Sequence, residues 1–95
     1  MVDTLNLGGN IELIGVDWID SASMIILKKM VGNYVKGFSQ KVNVQKLSIS
    51  MFKSESEIVF NSILVTSEKS HTSKFCDKNL FIGLAESLKN IEKSI

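Results

Sequence analysis

The chain of 95 residues contains no arginine, no proline and a single cysteine. Because arginine supplies the planar, bidentate donor that suits phosphate and guanine, its absence leaves any phosphate contact to lysines. The absence of proline leaves no linker signal and the sequence shows no internal repeat, so residues 1–95 are predicted to form a single domain. Cys76 alone cannot form an internal disulfide, which favours a reducing compartment.

Long apolar runs and an excess of charge are missing too. Nowhere do 18 apolar residues follow one another, which predicts no spanning helix and no membrane partner. The start, Met1-Val2-Asp3-Thr4, lacks the basic and apolar parts of a secretory signal, so we expect a cytoplasmic protein. The formal net charge is only +1, so a basic patch for nucleic acid would have to be local.

Strands are predicted where apolar and polar residues alternate. The first such segment is 10–16, and residues 1–9, with Gly8-Gly9, are predicted as a lead-in segment or short edge strand. Three more strands are predicted at 44–53, 57–65 and 71–77.

Two helices are predicted from apolar residues at three- and four-residue steps. The first runs from Ala22 to about Ser39 and is capped by Asp20 or Ser21. Its apolar stripe comprises Met24, Leu27, Val31, Tyr34, Val35 and Phe38, widened by Ile25, Ile26 and Met30. The second helix begins near Leu80, after a cap within 77–79.

The order of these elements predicts the fold. A helix joins the first two strands, so they can lie parallel, whereas short turns make the later strands an antiparallel meander. The predicted fold is α+β: a four-stranded mixed sheet with two helices packed on one face, in the order β-α-β-β-β-α. The third strand should be central and the more polar fourth strand should lie at an edge.

The third predicted strand is apolar on both sides, and only one side can meet the helices. The other side predicts an exposed apolar patch that binds a protein partner or a second copy of the chain. Its residues are Val59, Ile63 and Val65, with Ile14 or Val16 from the first strand. The alternative is that the N-terminal segment around Leu5 and Leu7 covers this patch.

The outer face of the first helix carries a lysine pattern. Lys29, Gly32, Asn33 and Lys36 follow i, i+3, i+4, i+7 and share one surface, with Lys28 beside it. Gly32 would let a phosphate approach the backbone, in contacts that are sequence-independent and salt-sensitive. The alternative is an ordinary solvated helix face.

Groups that carry catalysis or bind metal are too few or too far apart. His71 and Cys76 should point to opposite faces of one strand and cannot form a dyad, and we expect Cys76 to be a small buried residue. One histidine and one cysteine are too few for a zinc site. We therefore expect no enzyme activity, cofactor, metal or small-molecule substrate.

The closing segment resembles a known family. Asp77-Lys78-Asn79-Leu80-Phe81-Ile82-Gly83-Leu84, followed by Leu88-Lys89-Asn90-Ile91-Glu92, is similar to the ribosome hibernation-promoting factors, also called ribosome-associated inhibitor A. The start of the first helix, from Ile14-Gly15 to Asp20-Ser21-Ala22, is a looser match. The family has the same element order, and its basic residues bind the small ribosomal subunit.

The resemblance implies RNA contacts through lysines in comparable places. In this sequence those are Lys28, Lys29, Lys36, Lys89 and Lys93, whereas Val16 stands where the family has a basic residue. Two hypotheses follow from the sequence. The first is a non-enzymatic protein that binds ribosomal or other structured RNA, and the second is a homodimer or protein-interaction domain that uses its open sheet face.

Overall fold

The structure, a computed structural model, describes residues 4–7 and 10–95. It is an α+β fold with five strands and two helices, and the strands form one mixed sheet in chain order. The elements are β1 Thr4–Asn6, β2 Ile11–Ile14, α1 Ser21–Ser39, β3 Val44–Lys53, β4 Ile58–Thr66, β5 Ser70–Asp77 and α2 Leu80–Lys93.

The prediction of four strands was wrong by one, because the short edge strand β1 precedes the others. It pairs antiparallel with β2 and sets Leu5 opposite Leu13. Of the two interpretations of residues 1–9, a lead-in segment or a short edge strand, the structure confirms the edge strand at Thr4–Asn6. Leu5 and Leu7 pack against the core, so these two side chains do not cover the open face. The turn predicted at Gly8-Gly9 lies outside the described residues.

The remaining sheet topology is confirmed. β2 and β3 are parallel, whereas β3, β4 and β5 form an antiparallel meander. β5 is an edge strand, as predicted. The strand predicted to be central is β4, which lies in the interior of the sheet, although the middle strand of the five is β3.

Both helices begin at the same end of the sheet and run in the same direction. β2, β3 and β5 are mutually parallel, and α1 follows β2 whereas α2 follows β5. The side chain of Asp20 caps α1 by accepting from the backbone N–H of Ser23 at 3.0 Å. Asn79 caps α2 by accepting from the N–H groups of Phe81 and Ile82.

One apolar core lies between the helices and the sheet, so both helices cover the same face. Its buried side chains come from alternate strand positions and from one stripe on each helix: Leu13, Leu47, Ile49, Met51, Ile58, Phe60, Leu64, Leu27, Val31, Phe38, Leu84, Leu88 and Ile91. Ile25 and Ile26 do not widen the α1 stripe as predicted, because their side chains are 59% and 51% exposed.

Small residues bring α2 close to β4. A Cβ atom at Gly83 would overlap the ring of Phe60, lying 2.5 Å from Cζ. One turn later the buried hydroxyls of Ser62 and Ser87 are hydrogen-bonded at 2.8 Å. The close contact of α2 with the sheet therefore depends on residues without large side chains. No helix within the described residues is long and apolar enough to cross a membrane.

Candidate functional site

The lysines predicted on the helices all lie on the solvent side of the helix layer. Lys28, Lys29, Gly32, Asn33 and Lys36 are exposed on α1. Lys89 and Lys93 are exposed on α2, which runs parallel to α1. We call these seven residues the lysine surface.

Charge is unevenly distributed along the chain. Residues 21–54 contain six lysines and no aspartate or glutamate, whereas the rest of the chain has five lysines and ten acidic residues. Lys41, Lys46 and Lys53 in this segment were not among the predicted site residues. A running sum of charge along the sequence, instead of the net charge alone, would have found them.

Two of those three lysines have partners within the protein. Lys46 forms an ion pair with Glu12 at 3.2 Å, and Lys53 lies 5.7 Å from the centre of the Trp18 ring. The lysines of α1, by contrast, form no ion pair with any described residue. Of the five lysines of this segment that form no ion pair with a described residue, three lie on α1.

Gly32 leaves open space in the middle of this surface. A Cβ atom at this position would have no atom outside its own helix and chain neighbours within 4 Å, so packing does not require glycine here. Glycine inside a helix costs about 0.5–1 kcal/mol relative to alanine. Packing therefore explains neither Gly32 nor Gly37, which has the same open space around an added Cβ atom.

The α2 part of the lysine surface is less positive. Lys89 Nζ lies 3.9 Å from Glu86 Oε1. Glu92 lines an open pocket of about 200 Å³ together with Asn33, Tyr34 and Gly37 of α1. The two carboxylates offset part of the positive charge of Lys89 and Lys93, so α1 is the stronger candidate for binding an anion.

Apolar side chains border the lysine surface near the helix starts. Ile82 in the first turn of α2 is 55% exposed, and Ile25 and Ile26 lie in the second turn of α1. Contacts to phosphate do not account for these isoleucines. Val16, at the position where the resembling family has a basic residue, is buried in the core.

The predicted protein interface lies on the sheet face away from the helices. Ile14, Val59, Ile63 and Val65 alternate with core residues and share this face, and Ile63 is 42% exposed. Phe52, which the prediction missed, is 43% exposed beside Val59. We call this surface the open face, since no described element covers it.

Polar residues separate the apolar side chains of the open face. Across the strands, one row reads Asn6, Glu12, Ser48, Ile63 and Thr72, and the next reads Thr4, Ile14, Ser50, Asn61 and Lys74. Only the row with Phe52, Val59 and Cys76 has no charged or hydroxyl side chain. The patch is therefore apolar at one end and mixed elsewhere.

Hydrogen bonds lower the pKa of two carboxyl groups. Glu12 accepts from the Ser48 hydroxyl at 2.7 Å and pairs with Lys46, and these contacts hold its pKa below the ordinary value. Hydrogen bonds from Ser23 lower the pKa of Asp20. Both groups have structural roles, one across β2 and β3 and the other at a helix cap.

His71 and Cys76 lie on opposite sides of β5, as predicted. His71 is buried under α2, where its Nδ1 is 2.8 Å from Ser94 Oγ. Cys76 is exposed on the open face, so the expectation of a buried cysteine was wrong. Its position on an edge strand, away from the helices, explains the exposure. Among the described residues, no group of three or more His, Cys, Asp or Glu side chains could hold a metal ion.

Comparison of the chain with protein-family models, curated proteins and solved structures gives no match. The resemblance to the ribosome hibernation-promoting factors therefore stays a hypothesis, and the residues of the lysine surface are the basis for a functional proposal.

Proposed function

We propose that this protein is a non-enzymatic, cytoplasmic binding protein that contacts structured RNA, such as ribosomal RNA, through the lysine surface. The observation that carries this proposal is the exposed side of α1, which presents three lysines and no carboxylate. The resemblance of the closing segment to ribosome-associated factors points to the same class of ligand.

The electrostatics of the lysine surface favour a polyanion. Lysine binds phosphate as a point charge, and such contacts gain free energy mainly through release of counterions. Lys29 and Lys36 are seven residues apart, which separates them by about 10 Å along the helix. Contacts at that spacing need an extended array of phosphates rather than a single small anion.

The lack of stacking groups on α1 favours structured RNA over single strands. Recognition of single strands relies on exposed aromatic side chains that stack on bases. The exposed side of α1 carries none, and Tyr34 is partly buried against Phe38, with the ring centroids 6.2 Å apart. Backbone recognition of a duplex needs only correctly spaced charges and an open approach, which Gly32 provides.

Charge reversal on α1 tests the proposal. The double variant Lys29→Glu/Lys36→Glu should weaken binding to ribosomal RNA at least tenfold, because two phosphate contacts become repulsive. Both side chains are exposed, so the melting temperature should change by only a few degrees. Filter binding at about 50 mM and 150 mM salt measures the affinity.

The matched control is Lys69→Glu/Lys78→Glu, which changes the net charge from +1 to −3 as the test variant does. Lys69 lies in the β4–β5 turn and Lys78 precedes α2, so both are outside the lysine surface. Equal loss of binding in the two variants would show that only net charge matters. Unchanged binding after charge reversal on α1 would remove the proposal.

The second candidate function is protein binding through the open face. It is favoured by the exposure of Phe52 and Ile63 on a face that no described element covers. Exposed apolar patches of this kind mark interaction surfaces. The mixed rows of the face make it the weaker candidate.

The substitution Ile63→Lys tests this candidate. If the open face binds a partner or a second copy, lysine at this position should abolish the complex, which light scattering over a concentration series would reveal. Lys74→Ala, at the polar part of the same face, is the control. An assembly that persists with Ile63→Lys would place its interface elsewhere.

A further inference from the structure

The edge of the sheet at β5 differs from the edge at β1. β1 has three residues, whereas β5 has eight and pairs with β4 in regular register from Ser70 to Asp77. Natural edge strands are usually short, bulged or interrupted by proline, which prevents pairing with other chains. β5 has no bulge and no proline, and its one exposed lysine is Lys74, a residue type that also protects sheet edges.

The hydrogen-bond pattern shows which backbone groups of β5 point outward. Thr66 donates its N–H to the carbonyl of Lys69 at 2.9 Å, so these residues form a hydrogen-bonded pair at the turn. Such pairs alternate along an antiparallel ladder. On β5, His71, Ser73 and Phe75 therefore bond to β4. The N–H and C=O groups of Ser70, Thr72, Lys74 and Cys76 point away from β4, and all four residues are exposed.

Ser73 provides an independent observation at the centre of this strand. Among the described residues, its Oγ atom is the buried side-chain oxygen that has no hydrogen-bond partner. Buried hydroxyl groups in proteins are usually satisfied, and an unpaired one has a cost that a partner would remove. The neighbouring hydroxyl, Ser62 Oγ, is already paired with Ser87.

We propose that β5 pairs antiparallel with β5 of a second copy of this chain, about a two-fold axis that passes midway between Ser73 and its symmetry mate. Facing residues in an antiparallel pair must share a face, so one residue of β5 has to lie directly opposite its own symmetry mate. An axis at Lys74 would set two ammonium groups opposite each other, which is unfavourable. An axis at Ser73 sets Thr72 opposite Lys74 of the second copy.

This register satisfies both observations. Ser73 faces its own symmetry mate in a non-hydrogen-bonded pair, where Cα atoms are about 4.5 Å apart. Its Oγ atom is buried within its own chain, so the side chain rotates toward the sheet edge to bond the hydroxyl of its mate. The outward groups of residues 70, 72, 74 and 76 form four hydrogen-bonded pairs with the second copy. Since each such pair exchanges two bonds, the ladder gains about eight backbone hydrogen bonds.

The helix layer leaves space for this arrangement. α2 packs on both β4 and β5, so two symmetry-related copies of α2 would lie about 10 Å apart, which is an ordinary helix-packing distance. At the end of α2 next to β5, the C-cap residue Ser94 contacts His71, and Asn90 lies one turn before Ser94. The pair would form one ten-stranded sheet with all four helices on one face.

Charge changes at Thr72 test the register. Thr72→Lys would set two like-charged pairs against Lys74 of the second copy and should weaken the dimer roughly threefold to tenfold. Thr72→Glu would create two opposite-charged pairs and should strengthen it by a similar factor. Sedimentation equilibrium of the full chain, over about 10 µM to 1 mM, measures the dissociation constant. Ser50→Lys, on β3 of the open face, is the control and should leave the edge dimer unchanged.

A cysteine pair provides a second test that does not depend on charge. Ser70 faces Cys76 of the second copy in this register, at a Cα separation of about 5.5 Å that a disulfide can bridge. The variant Ser70→Cys should therefore oxidise to a covalent dimer, whereas the natural chain should not, since its two Cys76 residues lie about 20 Å apart. The natural chain under the same oxidant is the control.

Three results would overturn the proposal. They are a chain that stays monomeric at about 1 mM, a dimer whose affinity does not respond to the charge at position 72, and a dimer abolished by Ser50→Lys. The last result would assign self-association to the open face. None of these outcomes depends on RNA binding, which is measured separately.

Discussion

Two glycines of the helices are present for different physical reasons. Gly83 of α2 is required by packing, because the Phe60 ring fills the space that a side chain would need. Gly32 of α1 has open space in front of it, so its role is not in the core. Helical spacing places Gly32 on the outer face of α1, whereas nothing in the sequence predicts that Gly83 meets the Phe60 ring.

Alanine at each glycine should therefore change stability in opposite directions. Gly83→Ala forces α2 away from β4 and should cost on the order of 2 kcal/mol, which lowers the melting temperature by roughly 8–16 °C. Gly32→Ala should add about 0.5–1 kcal/mol of stability, because alanine favours the helix and meets no atom. Thermal unfolding followed by circular dichroism measures both.

The effect of Gly32→Ala on RNA affinity tests whether this glycine takes part in binding. If a phosphate approaches the backbone at Gly32, the stabilised Gly32→Ala protein should bind RNA more weakly than the natural chain. An RNA affinity that is unchanged by Gly32→Ala would show that the glycine has no part in binding. The lysines of α1 could still bind phosphate in that case.

At the scale of elements, the sequence predicted what periodicity and capping encode. Alternation predicts the strands at β3, β4 and β5, and side-chain acceptors predict the caps to within Asp20 or Ser21 and residues 77–79, because both are local signals. The sequence is compatible with either a lead-in segment or an edge strand at β1, because its three residues are held by pairing with β2 and not by a local signal. Ile25 and Ile26 were assigned to the core because periodicity cannot limit the width of a helical stripe.

The pairing of β2 with β3 predicts an acid dependence of stability. The folded-state pKa of Glu12 is lowered, first by the Ser48 hydroxyl and then by Lys46. A lowered pKa stabilises the fold above the pKa of the unfolded chain, and this contribution is lost as pH falls through the folded-state value. Between about pH 5 and pH 3, the natural chain should lose stability faster than Glu12→Gln.

Urea unfolding at pH 7, 5, 4 and 3 measures this difference. The gap in stability between the natural chain and Glu12→Gln should be largest at pH 7 and should close toward pH 3. Glu55→Gln, in the exposed turn between β3 and β4, is the control and should follow the natural chain. A gap that is constant with pH would show that Glu12 contributes through packing and not through its charge.

In the molecule as a whole, acidic residues lie near the starts of the two helices and lysines lie in their last turns. Both helices begin at the end of the sheet where Asp17, Asp20, Glu55, Glu57 and Asp77 lie. The last turns of the helices carry Lys36 and Lys93, so acidic groups lie near the positive ends of the helix dipoles and basic groups near the negative ends. This accounts for the lysines at the helix ends but not for Lys28 and Lys29 in the middle of α1.

The salt dependence of RNA binding tests whether those central lysines act together with the rest of the surface. A protomer that contacts three to five phosphates should give a slope of log affinity against log salt of about −2 to −4. Lys29→Glu/Lys36→Glu should reduce its magnitude by about 2, because each lysine accounts for roughly one released counterion. The Lys69→Glu/Lys78→Glu control should keep the slope of the natural chain.

Dimerisation through β5 would make the slope of log RNA affinity against log salt steeper. In a dimer paired through β5, all four helices lie on one face, so a long duplex could contact both lysine surfaces at once. The slope should then become steeper as protein concentration rises above the dimer dissociation constant, and Thr72→Lys should restore the protomer value at the same concentration. A slope that does not change with protein concentration, in a chain shown to dimerise, would mean that the two lysine surfaces cannot contact one RNA together.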